Sequence, residues 1–147
     1  MLSSLLERLR GRLEEDDAPE DLVPLAAATL LIEVALADHE VSAEELDVVR
    51  QALKTQFALE GAEVEALIED SKREHDASVG LQNFTRTLVE AWDEAERFEL
   101  VVQLWRLAQS DANVDRFEEH MIRRIAELLY VSHARFIEAK QTARSSR

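Results

Sequence analysis

The sequence predicts an all-α, single-domain helical bundle of about seven to eight helices, formed by two pseudo-repeated halves. Three observations support this fold class. The chain of 147 residues has only three glycines and two prolines, which leaves little of the turn chemistry that β-hairpins need. Its apolar residues recur every three or four positions rather than every second one. The third observation is an internal repeat at a spacing of about 73 residues.

The first predicted helix carries a stripe of leucines and fades into an acidic linker. The stripe consists of Leu2, Leu5, Leu6, Leu9 and Leu13. Such a helix docks on the body of its own protein, pairs with a second copy, or lies on a membrane surface. We therefore divide the chain into this amphipathic helix with its linker (1–19), a helical domain (20–141) and a basic tail (142–147).

Seven further helices are predicted in the helical domain, at about 20–38, 42–56, 61–76, 81–92, 93–110, 115–130 and from 132 onward. The helix at 20–38 is apolar nearly all round from Leu25 to Ala37, as expected of a buried central helix. Asp93 and Glu96 have the spacing of a capping box, which opens the helix at 93–110. We expect Trp92 and Trp105 to lie in the core.

The charge and the cysteine count exclude several classes of function. The formal charge is -14, so the summed field repels phosphate backbones, and we expect no nucleic-acid partner. The chain has no cysteine, which excludes disulfides and thiolate chemistry and is compatible with a reducing cytoplasm. No apolar run approaches the ~20 residues of a membrane-spanning helix. We expect a cytoplasmic protein without a transmembrane segment.

An acidic turn between two helices occurs once in each half. The first is Ala37-Asp38-His39-Glu40-Val41-Ser42-Ala43-Glu44-Glu45, and the second is Ser110-Asp111-Ala112-Asn113-Val114-Asp115-Arg116-Phe117-Glu118. Both share an Asp, a Val three residues later, a capping residue and a Glu three residues beyond the cap. Apolar positions in the flanking helices also match, but any two amphipathic helices can be aligned in that way.

The doubled turn resembles the tellurite-resistance TerB family, whose repeat carries a paired Ala-Asp-Gly-x-Ile/Val-Asp-x-x-Glu turn. The resemblance covers about 22–140, with halves at about 22–77 and 81–140, and leaves the leucine stripe outside. Two features depart from the family pattern. His39 and Ala112 replace the usual glycine, and Ser42 replaces the aspartate of the first turn. These departures weaken a binding role carried over from the family, above all in the first half.

Two interpretations of the turns are open. In one, Ser42 with Glu45 and Asp115 with Glu118 are only capping boxes. In the other, the turns hold a divalent cation (Ca²⁺, Mg²⁺ or Zn²⁺), because Asp38 and Asp111 end helices whose dipole disfavours negative charge. The candidate ligands are Asp38, Glu40, Glu45, Asp111, Asn113, Asp115 and Glu118. The second turn is the better candidate, since Asp111, Asn113 and Asp115 supply alternating oxygen ligands.

Neither turn is an EF-hand. Counting from Asp111, the sixth position is Arg116 instead of glycine, and the twelfth is Ile122 instead of a bidentate glutamate. The four histidines lie in separate segments without the spacing of a zinc site, so we expect them at the surface.

The sequence leaves three classes of function. The first, which the family resemblance implies, is a non-enzymatic, stress-response or tellurite-resistance-related binding or scaffold domain whose acidic turns hold a divalent cation. The second is a protein-binding helical module without a metal, co-chaperone-like or dimerising through the first helix. The third and most remote is a metal-dependent hydrolase, which ranks last because no nucleophile has a base nearby in sequence and no glycine loop is present to hold phosphate. A protein partner is expected in the first two.

Overall fold

The structure is a computed structural model, and it describes residues 23–37, 41–57, 59, 61–73, 81–110 and 116–145. These residues form seven helices: α1 (Val23–Ala35), α2 (Ala43–Phe57), α3 (Gly61–Arg73), α4 (Leu81–Ala91), α5 (Glu94–Gln109), α6 (Arg116–Leu128) and α7 (His133–Ser145). The prediction of an all-α bundle is confirmed. The leucine-striped first helix and the linker that follows it lie outside the described residues.

Helix α1 is the centre of the bundle, as its continuous apolar sequence predicts. Every residue of α1 is buried except Pro24 and Glu33. Pro24 is tolerated because it lies in the first turn, where a helix has no intrahelical partner for the missing N–H. The only buried polar side chain of the helix, Thr29, donates its hydroxyl hydrogen to the Leu25 carbonyl at 2.8 Å. Helices α2 to α6 all pack against α1.

Helices α5 and α7 form the most extensive helix pair of the bundle, and Trp105 lies between them. The capping box predicted at the start of α5 is present. The Asp93 N–H donates to Glu96 Oε1 at 3.1 Å, and the Glu96 N–H donates to Asp93 Oδ1 at 2.9 Å. Ser132 caps α7, because its Oγ accepts the Arg135 N–H at 3.2 Å. Local sequence therefore determines both helix starts.

The end of α6 is a Schellman motif built without glycine. The Val131 N–H donates to the Ala126 carbonyl at 2.9 Å, and the Tyr130 N–H donates to the Glu127 carbonyl at 3.1 Å. This geometry requires a left-handed residue, and Tyr130 takes that role with a φ of 58°. The Leu129 carbonyl at the same helix end accepts a 2.7 Å hydrogen bond from Arg97. The turn between α6 and α7 is thereby fixed to α5.

We expect Tyr130→Gly to stabilise the protein relative to Tyr130→Ala by about 1 kcal/mol, because glycine adopts the left-handed conformation without a Cβ clash. Both changes remove the same side chain, which is 76% exposed, so their difference isolates the backbone. Urea unfolding followed by far-UV circular dichroism measures it. Equal stabilities of the two variants would show that Tyr130 is not strained.

The last helix extends into the segment predicted to be a basic tail. Residues 142–145 belong to that segment and continue α7 to Ser145. Ala143 is fully buried and follows Phe136 and Ala139 on the packed face of the helix. Beyond Phe136 the buried residues of this face are the alanines Ala139 and Ala143, so the apolar pattern near the end of the helix is weak.

The helix boundaries are consistent with the repeat, which stays a prediction. Helix α2 begins at Ala43 and α6 at Arg116, the spacing found in the sequence. Helices α1 and α5, and α3 and α7, correspond at nearly the same spacing, and α4 lies between the two sets. Among the residues described, no helix is long and apolar enough to cross a membrane.

Candidate functional site

The first acidic turn leads into α2 through a complete capping box. The Ser42 N–H donates to Glu45 Oε1 at 3.0 Å, and the Glu45 N–H donates to Ser42 Oγ at 3.0 Å. These two bonds satisfy donors that every helix start leaves without an intrahelical partner. Capping therefore accounts for one carboxylate oxygen of Glu45.

The second oxygen of Glu45 is the unusual feature of this turn. Glu45 is only 2% exposed, and its Oε2 is buried without a hydrogen-bond partner in the described part of the chain. The capping glutamate of α5 provides the comparison, because Glu96 makes the same pair of bonds but is exposed. A capping box thus does not require burial. Removing a carboxylate oxygen from water is costly unless a donor or a cation compensates.

The second acidic turn leads into α6, where Glu118 has the position that Glu45 has in α2. Each is the third residue of its helix. Glu118 is 1% exposed, so both glutamates are buried although both belong to strongly acidic segments. Glutamate is among the residues least often fully buried. The shared burial makes these two helix starts the best candidate for a functional site in the described structure.

The other predicted ligands lie outside the described residues: Asp38, Glu40, Asp111, Asn113 and Asp115. Among the residues that are described, no three His, Asp or Glu side chains are grouped closely enough to hold a metal ion. The assignment of the seven ligands therefore stays a prediction. The described structure adds the burial of Glu45 and Glu118, which the sequence alone does not reveal.

Comparison with known proteins identifies the family. The model of the family described as Tellurite resistance protein TerB matches residues 24–141, which is most of the chain. The chain belongs to the TerB family. No curated protein and no solved structure gave a significant match. The TerB match begins at residue 24, so the leucine stripe of residues 2–13 lies outside the matched region.

The two histidines that the structure describes in the TerB domain, His120 and His133, are exposed, as predicted. The His133 ring lies 5.9 Å from the Phe136 ring. His39 and His75 lie outside the described residues. The described histidines thus give no support to a zinc site in the TerB domain.

A cleft that sequence reasoning missed lies at one end of the TerB domain. It has a volume of about 560 Å³ and lies between the start of α1, the end of α2 and the junction of α4 with α5. The prediction that Trp92 belongs to the core is wrong in part, because its side chain lines this cleft and is half-buried. It stacks on Phe57 with ring centroids 6.1 Å apart and an interplanar angle of 12°. The capping box at Asp93 shows that a new helix begins directly after Trp92. This position between two helices was the sequence feature that could have indicated a partly exposed side chain.

Proposed function

We propose that this TerB-family chain is a non-enzymatic binding or scaffold domain whose acidic helix-helix turns hold a divalent cation. The observation that supports this most directly is the burial of Glu45, which leaves Oε2 without a hydrogen-bond donor among the described residues. A cation held by the turn would neutralise this oxygen. Capping alone gives no reason for the burial, as the exposed Glu96 of α5 demonstrates.

The chemistry of the predicted ligands favours Ca²⁺ or Mg²⁺ over Zn²⁺. The candidate ligands are carboxylate and amide oxygens, which hard cations prefer, whereas zinc sites usually include nitrogen or sulfur. The second turn is proposed as the stronger site, with Asp111, Asn113 and Asp115 before the helix and Glu118 within it. In the first turn, Ser42 replaces an aspartate and uses its hydroxyl oxygen to cap α2, which leaves one carboxylate fewer.

Isothermal titration calorimetry of metal-free protein tests the cation site. We expect saturable heat with Ca²⁺ or Mg²⁺, and we expect Asp111→Asn with Asp115→Asn to weaken binding at least about tenfold because two carboxylate ligands are neutralised. Glu96→Gln is the matched control, since it removes an exposed capping carboxylate away from both turns. No heat from Ca²⁺, Mg²⁺, Mn²⁺ or Zn²⁺ in the wild-type protein contradicts the proposal.

A second candidate is a helical module that binds a protein partner without any metal. Exposed aromatic side chains near both ends of α6 favour it: Phe117 is 66% exposed and Tyr130 is 76% exposed. Aromatic residues of this kind are enriched at protein interfaces. The calorimetric experiment separates the two candidates, because a metal-free module gives no heat with cations and keeps its partner when Asp111 and Asp115 are both changed to Asn.

A further inference from the structure

We propose that the leucine-striped segment, residues 2–13, docks as an amphipathic helix into the cleft formed by α1, α2 and the α4–α5 junction of its own chain. The cleft has a volume of about 560 Å³ and both apolar and acidic lining residues. The proposal concerns a contact outside the family match and does not depend on the cation site. Three independent features of the chain support residues 2–13 as the occupant of the cleft.

The first feature is the apolar floor. Phe57 and Trp92 stack there, and both are only half-buried in the described structure. Pro24, which is half-buried at the start of α1, adds further apolar surface, and the buried Val23 lies beside it. An aromatic pair left partly in water is a site where a leucine-rich helix face removes apolar area from solvent.

The second feature is charge complementarity. Asp93, Glu96 and Glu99 line the cleft from the first turns of α5. Residues 1–12 carry three arginines and one glutamate, in a chain whose formal charge is -14. At ~3.6 residues per turn, Arg10 and Arg12 fall on the two edges of the leucine stripe. A helix that packs its leucines into the cleft therefore places Arg10 and Arg12 next to the acidic residues that line it.

The third feature is the tether. Residues 14–22 connect the stripe to Val23, and Val23 itself lines the cleft. Nine residues reach at most ~30 Å, so the stripe stays close to the cleft at high effective concentration. An isolated helix of about 12 residues is marginal in water. A surface that buries its leucines supplies the stability that such a helix lacks.

Paramagnetic NMR on the full chain tests the docking. Because the chain contains no cysteine, Ser4→Cys creates a single site for a nitroxide label. The two tryptophans give two indole N–H signals that report on distance from the label. Ser4 falls on the polar face of the predicted helix, away from the stripe. We expect a nitroxide at position 4 to broaden the Trp92 indole signal strongly. The matched control carries Leu5→Ser and Leu9→Ser as well, which removes the stripe and should abolish the broadening.

The outcomes are distinguishable. Broadening of Trp92 that is lost in the serine variant and independent of protein concentration supports docking within one chain. An unchanged Trp105 indole signal in the serine variant shows that the core remains folded, because Trp105 is fully buried. Broadening that appears when labelled ¹⁴N protein is mixed with unlabelled ¹⁵N protein assigns the cleft to a second copy and overturns the proposal. Equal Trp92 broadening with and without the stripe also overturns it.

Discussion

Trp105→Ala is expected to lower the free energy of unfolding by about 3–5 kcal/mol, the range for deleting a fully buried large aromatic side chain. Trp105 is fully buried in α5 and lies 5.2 Å, centroid to centroid, from the Phe136 ring of α7. Its indole N–H donates to the Phe136 carbonyl at 3.2 Å, and Lys140 Nζ lies 5.1 Å from the ring centroid. One side chain thus contributes packing, a hydrogen bond and a cation–π contact to the α5–α7 pair.

Trp105→Phe is the matched control, because it keeps an aromatic ring in the core but removes the indole N–H. We expect it to cost clearly less than Trp105→Ala, about 1–2 kcal/mol, from the lost hydrogen bond and the reduced ring volume. Urea unfolding followed by far-UV circular dichroism compares the variants without relying on tryptophan fluorescence. A cost below ~1 kcal/mol for Trp105→Ala would show that the α5–α7 pair is not organised around this residue.

The features of the fold that the sequence predicts correctly are those determined by local chemistry. The uninterrupted apolar stretch of α1 can be accommodated only in the interior, and all its residues but Pro24 and Glu33 are buried. The capping boxes at Ser42 and Asp93 are recognisable because a helix start presents its unpaired N–H groups within a few residues. Neither feature depends on how distant helices meet.

The features that the sequence does not predict depend on those distant contacts. Both tryptophans are predicted in the core, but Trp105 is fully buried in α5, whereas Trp92 follows the last residue of α4 and lines a cleft between three segments. Similarly, Glu45 and Glu96 belong to equivalent capping boxes, and only Glu45 is buried. The local sequence determines their hydrogen bonds, and the arrangement of neighbouring helices determines their exposure. The candidate site is recognised through this difference in burial.

The buried carboxylate of Glu45 leads to a second large expected effect: Glu45→Gln keeps the stability of the metal-free protein but reduces the stability gained from Ca²⁺. In metal-free buffer, we expect Glu45→Gln to leave the free energy of unfolding unchanged or to raise it by up to ~1 kcal/mol. The amide oxygen can still accept the Ser42 N–H, and the buried charge is removed. A cation at about 100 times its dissociation constant adds about 2.7 kcal/mol to a protein that binds it only when folded. We expect the wild-type protein to gain at least this amount from Ca²⁺. Glu45→Gln should lose the part of the gain that comes from the first turn and keep the part that comes from the second turn.

Urea unfolding in EDTA and in Ca²⁺ measures both effects, and Glu96→Gln is again the control. Its carboxylate makes the same capping bonds from an exposed position, so this variant should gain as much from Ca²⁺ as the wild-type protein. If Glu45→Gln and Glu96→Gln respond equally to Ca²⁺, the carboxylate of Glu45 has no part in cation binding. If Glu45→Gln destabilises the metal-free protein and also gains as much from Ca²⁺ as Glu96→Gln, the buried carboxylate serves the protein's own structure rather than an ion. The proposed role of the first turn would then have to be abandoned, whereas calorimetry on the Asp111→Asn, Asp115→Asn variant would still test the second turn independently.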